Sequence, residues 1–332
     1  MTVFMVGDIG GSKSEFAIFS SDDPATPLDF RRYANSGFNS AEEVMEKYLS
    51  QCSHSPQTAC LAVAGVVEAE RAQMTNLDWH FDACALAARF SFAKVVLIND
   101  MTALASSLPL LDRNHQLMTL NSGSGKQGAV CGLVAPGTGL GEGLFVRLGQ
   151  NSFFALGSEG GHGGFSPADK EQLELLQWLQ QKVSPVSWEM VASGRGIPAL
   201  FAYYTQHCGM APSGRITREL AGGDDQTRII IDGGVTGDRC PVCARVVELF
   251  LAIVGSEAGN LALKLNATGG IYLGGGILPR LVGRTSFAPL VTAFGAKGKM
   301  TELVARIPLY LILEKKAVLM GGANFVTGGQ RG

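Results

Sequence analysis

The chain has 332 residues, with 27 Lys and Arg against 29 Asp and Glu for a formal charge of −2; 46% of residues are hydrophobic and 17% charged. That balance excludes a disordered chain, and the lack of a basic excess argues against nucleic acid or an anionic membrane as partner. The length suits roughly two domains with cores that need no covalent staples.

The N-terminal residues VFMVG (3–7) read as a buried strand. After them come Asp8-Ile9-Gly10-Gly11-Ser12-Lys13 and a second strand, Phe16-Ala17-Ile18-Phe19, so the segment predicts a hairpin with a glycine turn. AEEVMEKYLSQC (41–52) has helical spacing, ACLAVAG (59–65) reads as a buried strand and FDACALAARF (81–90) as a helix. Val95-Val96-Leu97-Ile98 is a strand ending in Asn99-Asp100. This alternation predicts an α/β layer with a mixed sheet. NSGSGKQG (121–128) reads as a loop, with a domain boundary expected near 110.

The second half opens on the strand GAVCGLVA (128–135), the turn Pro136-Gly137-Thr138-Gly139-Leu140-Gly141 and a further strand, LFVRLG. DKEQLELLQWLQQK (169–182) predicts an amphipathic helix, LFLAIVGSEAGNLALKL (249–265) a long apolar one, and GGIYLGGG (269–276) a strand running into glycines. IPLYLILE (307–314) is a last strand and AVLMGGANFV (317–326) a closing helix. No apolar run is expected to reach the ~20 residues that span a bilayer. Met1-Thr2-Val3-Phe4-Met5 lacks the basic start of a secretory signal, so the cytoplasm is the expected compartment.

The 43 glycines gather in clusters beside strands, which suits backbone that turns tightly or approaches a ligand. Two halves each carry strand, glycine turn and strand, and two such turns could hold the ends of a polyphosphate through exposed N–H groups. The common nucleotide motifs fail. A P-loop ending at Gly125-Lys126 would begin at Leu120 and close on Gln127, and a dinucleotide fingerprint from Gly137 meets Glu142 at its sixth position.

Asn99-Asp100 stands where a strand ends, the usual place for ligands in open α/β sheets. A carboxylate there would serve as general base or merely cap the helix starting at Met101. Ser158-Glu159-Gly160-Gly161-His162 is too glycine-rich for a helix and is equipped to bind hydroxyls. Glu189 precedes a helical stretch, where an acid also suits the first turn. Seven cysteines at low density argue against a disulfide scaffold. Cys240-Pro-Val-Cys243 lacks the second pair or histidines that a structural zinc needs.

Taken together, DIGGSK (8–13), LIND (97–100), GTGLG (137–141), SEGGH (158–162), SWE (187–189), GNLAL (259–263) and GGIYLGGGILPR (269–280) resemble the bacterial glucokinases. PLYLILEKKAVLMGGA (308–323) is similar as well. Wider relatives are the ROK sugar kinases and hexokinases. The resemblance implies an α/β, two-domain actin-like ATPase (ribonuclease H-like) fold with an interdomain cleft. The expected division is 1–109 plus 314–332 against 110–313. It implies a first phosphate loop of Asp8, Gly10, Gly11 and Ser12, a second of Gly137, Thr138 and Gly139, and Gly274, Gly275 and Gly276 near the adenosine of ATP. Asn99, Glu159, His162 and Glu189 would hold glucose hydroxyls, and Asp100 would be the base for the 6-hydroxyl. Mg²⁺ would bind through phosphates and water, with Asp8 the best carboxylate to orient it, and the enzyme would be a homodimer.

The first loop departs from the family pattern, since Ser12 stands for threonine and Glu15 for a common arginine. The cysteine-rich zinc motif of ROK kinases is absent. A kinase for another hexose or an N-acetylhexosamine, or a non-catalytic glucose sensor, stays open at this point.

Overall fold

A computed structural model describes residues 2–74, 77–124, 128–149, 152–223, 225–235 and 237–328. Of the expected loop at 121–128, Gly125 to Gln127 lie outside the described residues. In chain order the early elements are β1 (Val3–Ile9), β2 (Lys13–Ser20), β3 (Asp29–Ala34), α1 (Ala41–Gln51), β4 (Thr58–Val63), β5 (Gly65–Glu68), β6 (Arg71–Met74) and β7 (His80–Asp82). Then come α2 (Ala83–Phe90), β8 (Lys94–Asn99), α3 (Asp100–Ser107), β9 (Leu117–Asn121), β10 (Val130–Pro136), β11 (Leu140–Arg147) and β12 (Phe153–Ser158). The later elements are α4 (Lys170–Gln180), α5 (Glu189–Ala192), α6 (Ile197–Ala202), α7 (Gly214–Ala221), α8 (Gln226–Val235), α9 (Pro241–Leu265), β13 (Gly270–Leu273), α10 (Ala288–Gly295), α11 (Thr301–Ala305), β14 (Leu309–Ile312) and α12 (Ala317–Val326).

The chain divides into two compact units. The first comprises Met1–Leu117, Gly143–Gly157 and Glu314–Gly332, and the second Met118–Glu142 and Ser158–Leu313.

In the first unit a five-stranded sheet runs β3-β2-β1-β4-β8. The expected hairpin forms, with β1 and β2 antiparallel and Asp8 opposite Glu15. β1 pairs with β4 and β4 with β8 in parallel; β4 is paired on both edges and buried from Ala59 to Val63, so it reads as an apolar run. Met5, Phe16, Ile18, Val44, Tyr48 and Leu61 fill one side. On the other, α12 packs against α3, β1 and β4, and Asn324 Nδ2 donates to the Ser106 carbonyl at 2.8 Å. A small antiparallel sheet, β5-β6-β7, leads into α2, whose N-cap is Asp82.

In the second unit β10, β13 and β14 are parallel neighbours with β9 beyond them. The core helix is α9, which starts at Pro241 rather than near 249. With 25 residues and a mean hydropathy of 1.6 it is long and apolar enough to cross a bilayer, contrary to the expectation that no run would be. However, 78% of its apolar stretch is buried in the protein, among Leu200, Ile230, Leu273 and Leu290. Its composition is that of a helix surrounded by core. Cys240 is its N-cap and Cys243 lies in its first turn; both are free and buried, and the Cys240 Sγ accepts the Ser213 N–H at 3.4 Å. Packing and capping account for the pair.

Candidate functional site

In the first unit the chain leaves β1 at Ile9, turns through Gly10-Gly11-Ser12 and enters β2. Gly10 N–H donates to the Lys13 carbonyl at 3.0 Å. Asn35, just past β3, pins the turn from the side. Its amide donates to the Gly10 carbonyl at 2.7 Å, its backbone N–H to the Ser12 carbonyl at 3.0 Å, and its Oδ1 accepts the Ser14 hydroxyl at 2.8 Å. Nothing in the sequence marks Asn35, which is 25 residues from the turn it holds.

Glu15 is 2% exposed and ion-paired with Lys13 at 2.8 Å and with Arg32. The acid in the arginine position is therefore neutralised inside the hairpin, and the trio keeps a net positive charge. Asp8 stands opposite Glu15 in the hairpin. Burial, then the charges of Glu15 and Asp100, push its pKa from 3.8 up to about 7, against the pull of Lys13 and Arg32.

At the carboxyl end of β8, Asn99 and not Asp100 is the N-cap. Asn99 Oδ1 accepts the N–H of Met101 at 2.9 Å and of Thr102 at 3.4 Å. Its Nδ2 donates to the Gly65 carbonyl at 3.1 Å, which leaves one amide hydrogen for a ligand. Asp100 is the first residue of α3, and one carboxylate oxygen accepts the Met101 N–H at 2.8 Å.

In the second unit, β10 ends at Pro136 and β13 at Leu273, side by side and parallel. Their carboxyl ends bring together Gly137-Thr138-Gly139 and Gly274-Gly275-Gly276: Gly274 N–H donates to the Val134 carbonyl at 2.9 Å. Gly275 has φ +76°, and a Cβ there would strike the Pro136 carbonyl. A third segment belongs here. Gly194 N–H donates to the Gly137 carbonyl at 2.8 Å and Arg195 N–H to that of Thr138 at 3.3 Å, while Thr227 donates to the Gly194 carbonyl at 2.6 Å. Nothing in the sequence sets Gly194-Arg195-Gly196 apart from the chain's other glycine clusters.

Glu159 precedes and His162 ends a single 3-10 turn, Gly160–His162. Both are exposed, with His162 Nε2 3.8 Å from Glu159 Oε2. This turn is tied to α5, since Trp188 N–H donates to the Gly163 carbonyl at 2.9 Å. Glu189, the first residue of α5, accepts the Leu140 N–H at 3.0 Å. The second unit thus brings Glu159, His162 and Glu189 into one hydrogen-bonded neighbourhood with Gly137–Gly139. Among the described residues no group of three or more His, Cys, Asp or Glu forms a metal cage.

Solved structures share this fold. The glucokinase of an Antarctic psychrotroph superposes with a TM-score of 0.79 at 31% identity, over 98% of each chain. A ROK-family glucokinase from Streptomyces griseus, in complex with glucose and AMPPNP, has the same fold, with a TM-score of 0.64 at 20% identity over 97% of this chain and 98% of that one. The protein is thus an enzyme of the sugar-kinase class with the actin-like ATPase fold. The match narrows further in sequence. Residues 5–328 fit the glucokinase family, and a glucokinase from Aromatoleum aromaticum is 35% identical over 322 residues, 96% of this chain and 93% of that protein. A glucokinase from Chromobacterium violaceum is 33% identical over 325 residues, 96% and 88%. The chain belongs to the glucokinase family.

Proposed function

We propose that the protein transfers the γ-phosphoryl group of ATP to the 6-hydroxyl of D-glucose, giving glucose 6-phosphate and ADP, the first step of glycolysis. The observation that carries this reading is the division of labour at the end of β8. Asn99 caps α3, and Asp100, the first residue of the helix, shares the Met101 N–H and stands at the strand end, where a carboxylate can act as general base. In the reaction Asp100 accepts the 6-hydroxyl proton as that oxygen bonds to the γ-phosphorus and the bond to the ADP oxygen breaks. Asn99, Glu159, His162 and Glu189 hold the sugar hydroxyls. Little covalent work falls to the protein, so positioning and charge stabilisation dominate.

Gly10, Gly11 and Ser12, and separately Gly137, Thr138 and Gly139, offer backbone N–H groups to phosphate oxygens. Gly274, Gly275 and Gly276 lie by the adenosine. Asp8 fits a hydrated Mg²⁺: it is a carboxylate whose pKa is raised by burial and by two neighbouring acids, which a cation would offset, and Mg²⁺ keeps most of its waters and asks for only one or two carboxylates. When bound, the ion would neutralise charge on the phosphate oxygens, with Asp8 accepting hydrogen bonds from its water shell.

Seven free cysteines suit a reducing compartment, which supports the cytoplasm, and the family resemblance alone supports a homodimer. The test is a kinetic panel of sugars against phosphoryl donors. Glucose with Mg-ATP should give the highest kcat/KM; preference for another hexose, an N-acetylhexosamine, ADP or polyphosphate would replace the assignment, and glucose binding without turnover would make it a sensor.

A further inference from the structure

Glu142, the residue that breaks the dinucleotide fingerprint, is 2% exposed and lies on β11 just beyond the Gly137–Gly139 loop. Successive residues of a strand face opposite ways, so Leu140 and Glu142 share a face. On that face rests the turn between Glu159 and His162. A Cβ on Gly161 would collide with the Leu140 carbonyl, and a Cβ on Gly160 with the Glu142 carboxyl. The Glu142 carboxyl is therefore the floor beneath Gly160.

That floor is short of partners. Oε1 of Glu142 is buried with no hydrogen bond among the described residues. The charges bearing on it come from α9. Glu257 is fully buried, held by Lys264 at 2.9 Å and Asn260 at 2.9 Å, so Lys264 is already committed. Lys297 donates to the Ser256 carbonyl and to Asn260, each at 2.8 Å. The turn itself contributes the exposed Glu159 and His162. An ionised Glu142 would stand beside a buried like charge with no cation of its own, directly under the sugar turn. Such a group favours its neutral form.

We propose that Glu142 is a proton-gated positioning residue for glucose: as a neutral acid it seats Gly160–His162, and on ionising it unseats that turn. This rests on the glucokinase reading for its kinetic consequence only. Burial and Glu257 push the Glu142 pKa from 4.5 up to about 7, against the pull of Lys264, which places the change near neutral pH.

The experiment measures glucose KM, ATP KM and kcat from pH 6 to 9 in the wild type and in Glu142→Gln, which stays neutral. In the wild type glucose KM should rise about tenfold above pH 7, the equivalent of one pKa unit coupled to binding, with ATP KM nearly constant. Glu142→Gln should hold its low-pH value throughout. A wild-type glucose KM that is flat with pH, or parallel profiles in the two proteins, would overturn the proposal. Amide exchange of the 160–163 segment, corrected for its intrinsic pH dependence, gives a readout that needs no turnover. Faster exchange above pH 7 in the wild type alone supports the gate even if glucose is not the substrate, and pH-independent protection sinks it even if glucose is.

Discussion

The Glu189 carboxylate accepts the backbone N–H of Leu140 at 3.0 Å. The first residue of α5 is thereby fixed to the strand that leaves the Gly137–Gly139 loop. A side chain proposed to hold a sugar hydroxyl is ordered before the sugar arrives, which lowers the entropy that binding must overcome.

Asp100→Asn should fold and bind glucose but lose turnover. A positioned base is worth about 10²- to 10⁴-fold in rate. The helix start is preserved because Asn99 is the cap. Retention of more than about a tenth of wild-type kcat would remove Asp100 from the base role.

Glucose should be strongly preferred over galactose. Glu159, His162 and Glu189 would be left unpaired by a sugar with a displaced hydroxyl, and sites built to hydrogen-bond a hydroxyl reject poor analogues by up to ~10⁴. Equal kcat/KM for the two sugars, or an unchanged glucose affinity in Glu159→Gln, contradicts the assignment.

Asn35→Ala should loosen the first phosphate turn. It removes the bonds to Ser14 and Gly10 and leaves those groups unsatisfied, at a cost of about 1–3 kcal/mol. Thermal unfolding should shift down and ATP KM should rise more than glucose KM. A lowered midpoint with an unaltered ATP KM would limit Asn35 to stability.

The sign of the pH effect on stability follows from Glu142. Its pKa is raised from 4.5 in the unfolded chain to about 7 in the folded one. Between those values the folded state keeps a proton that the unfolded state has lost, so stability falls as pH rises from 4.5 to about 7 and then levels off. The contribution is on the order of 3 kcal/mol. Glu142→Gln should flatten that part of the curve, measured by denaturant unfolding; Asp8, raised to about 7 as well, supplies a slope that remains. Identical curves for the two proteins would mean that Glu142 titrates normally.

Trp188 should report glucose. It is buried, edge-on to Phe165 at 5.0 Å, and its N–H holds Gly163, so ordering the sugar turn alters its surroundings. Emission should change on titrating glucose and the change should vanish in Trp188→Phe, which retains Trp79 and Trp178. A response that survives in the variant would place the signal at one of those two.

Much of this was legible in the chain. The β1–β2 hairpin, α1, α12 and the strand-end position of Asn99-Asp100 follow from periodicity and glycine punctuation, because local sequence specifies them. Which of Asn99 and Asp100 caps α3 was not legible, since both residue types suit the role and only the backbone angle decides. Nor were Asn35, Gly194 or the burial of Glu142, whose partners lie far away along the chain. The start of α9 lies outside the apolar run at 249–265 because the first two turns carry charged Arg245 and Glu248; the proline at its first position is favourable there.

The first unit needs α12, residues 317–326, to cover the side of α3, β1 and β4 away from its main core. The chain of the second unit lies between, and all of it leaves the ribosome first. At the usual elongation speed the uncovered apolar face of the first unit waits roughly 10 to 40 s for its helix. The half that begins first is therefore the half that finishes last, its second apolar side covered only once α12 emerges.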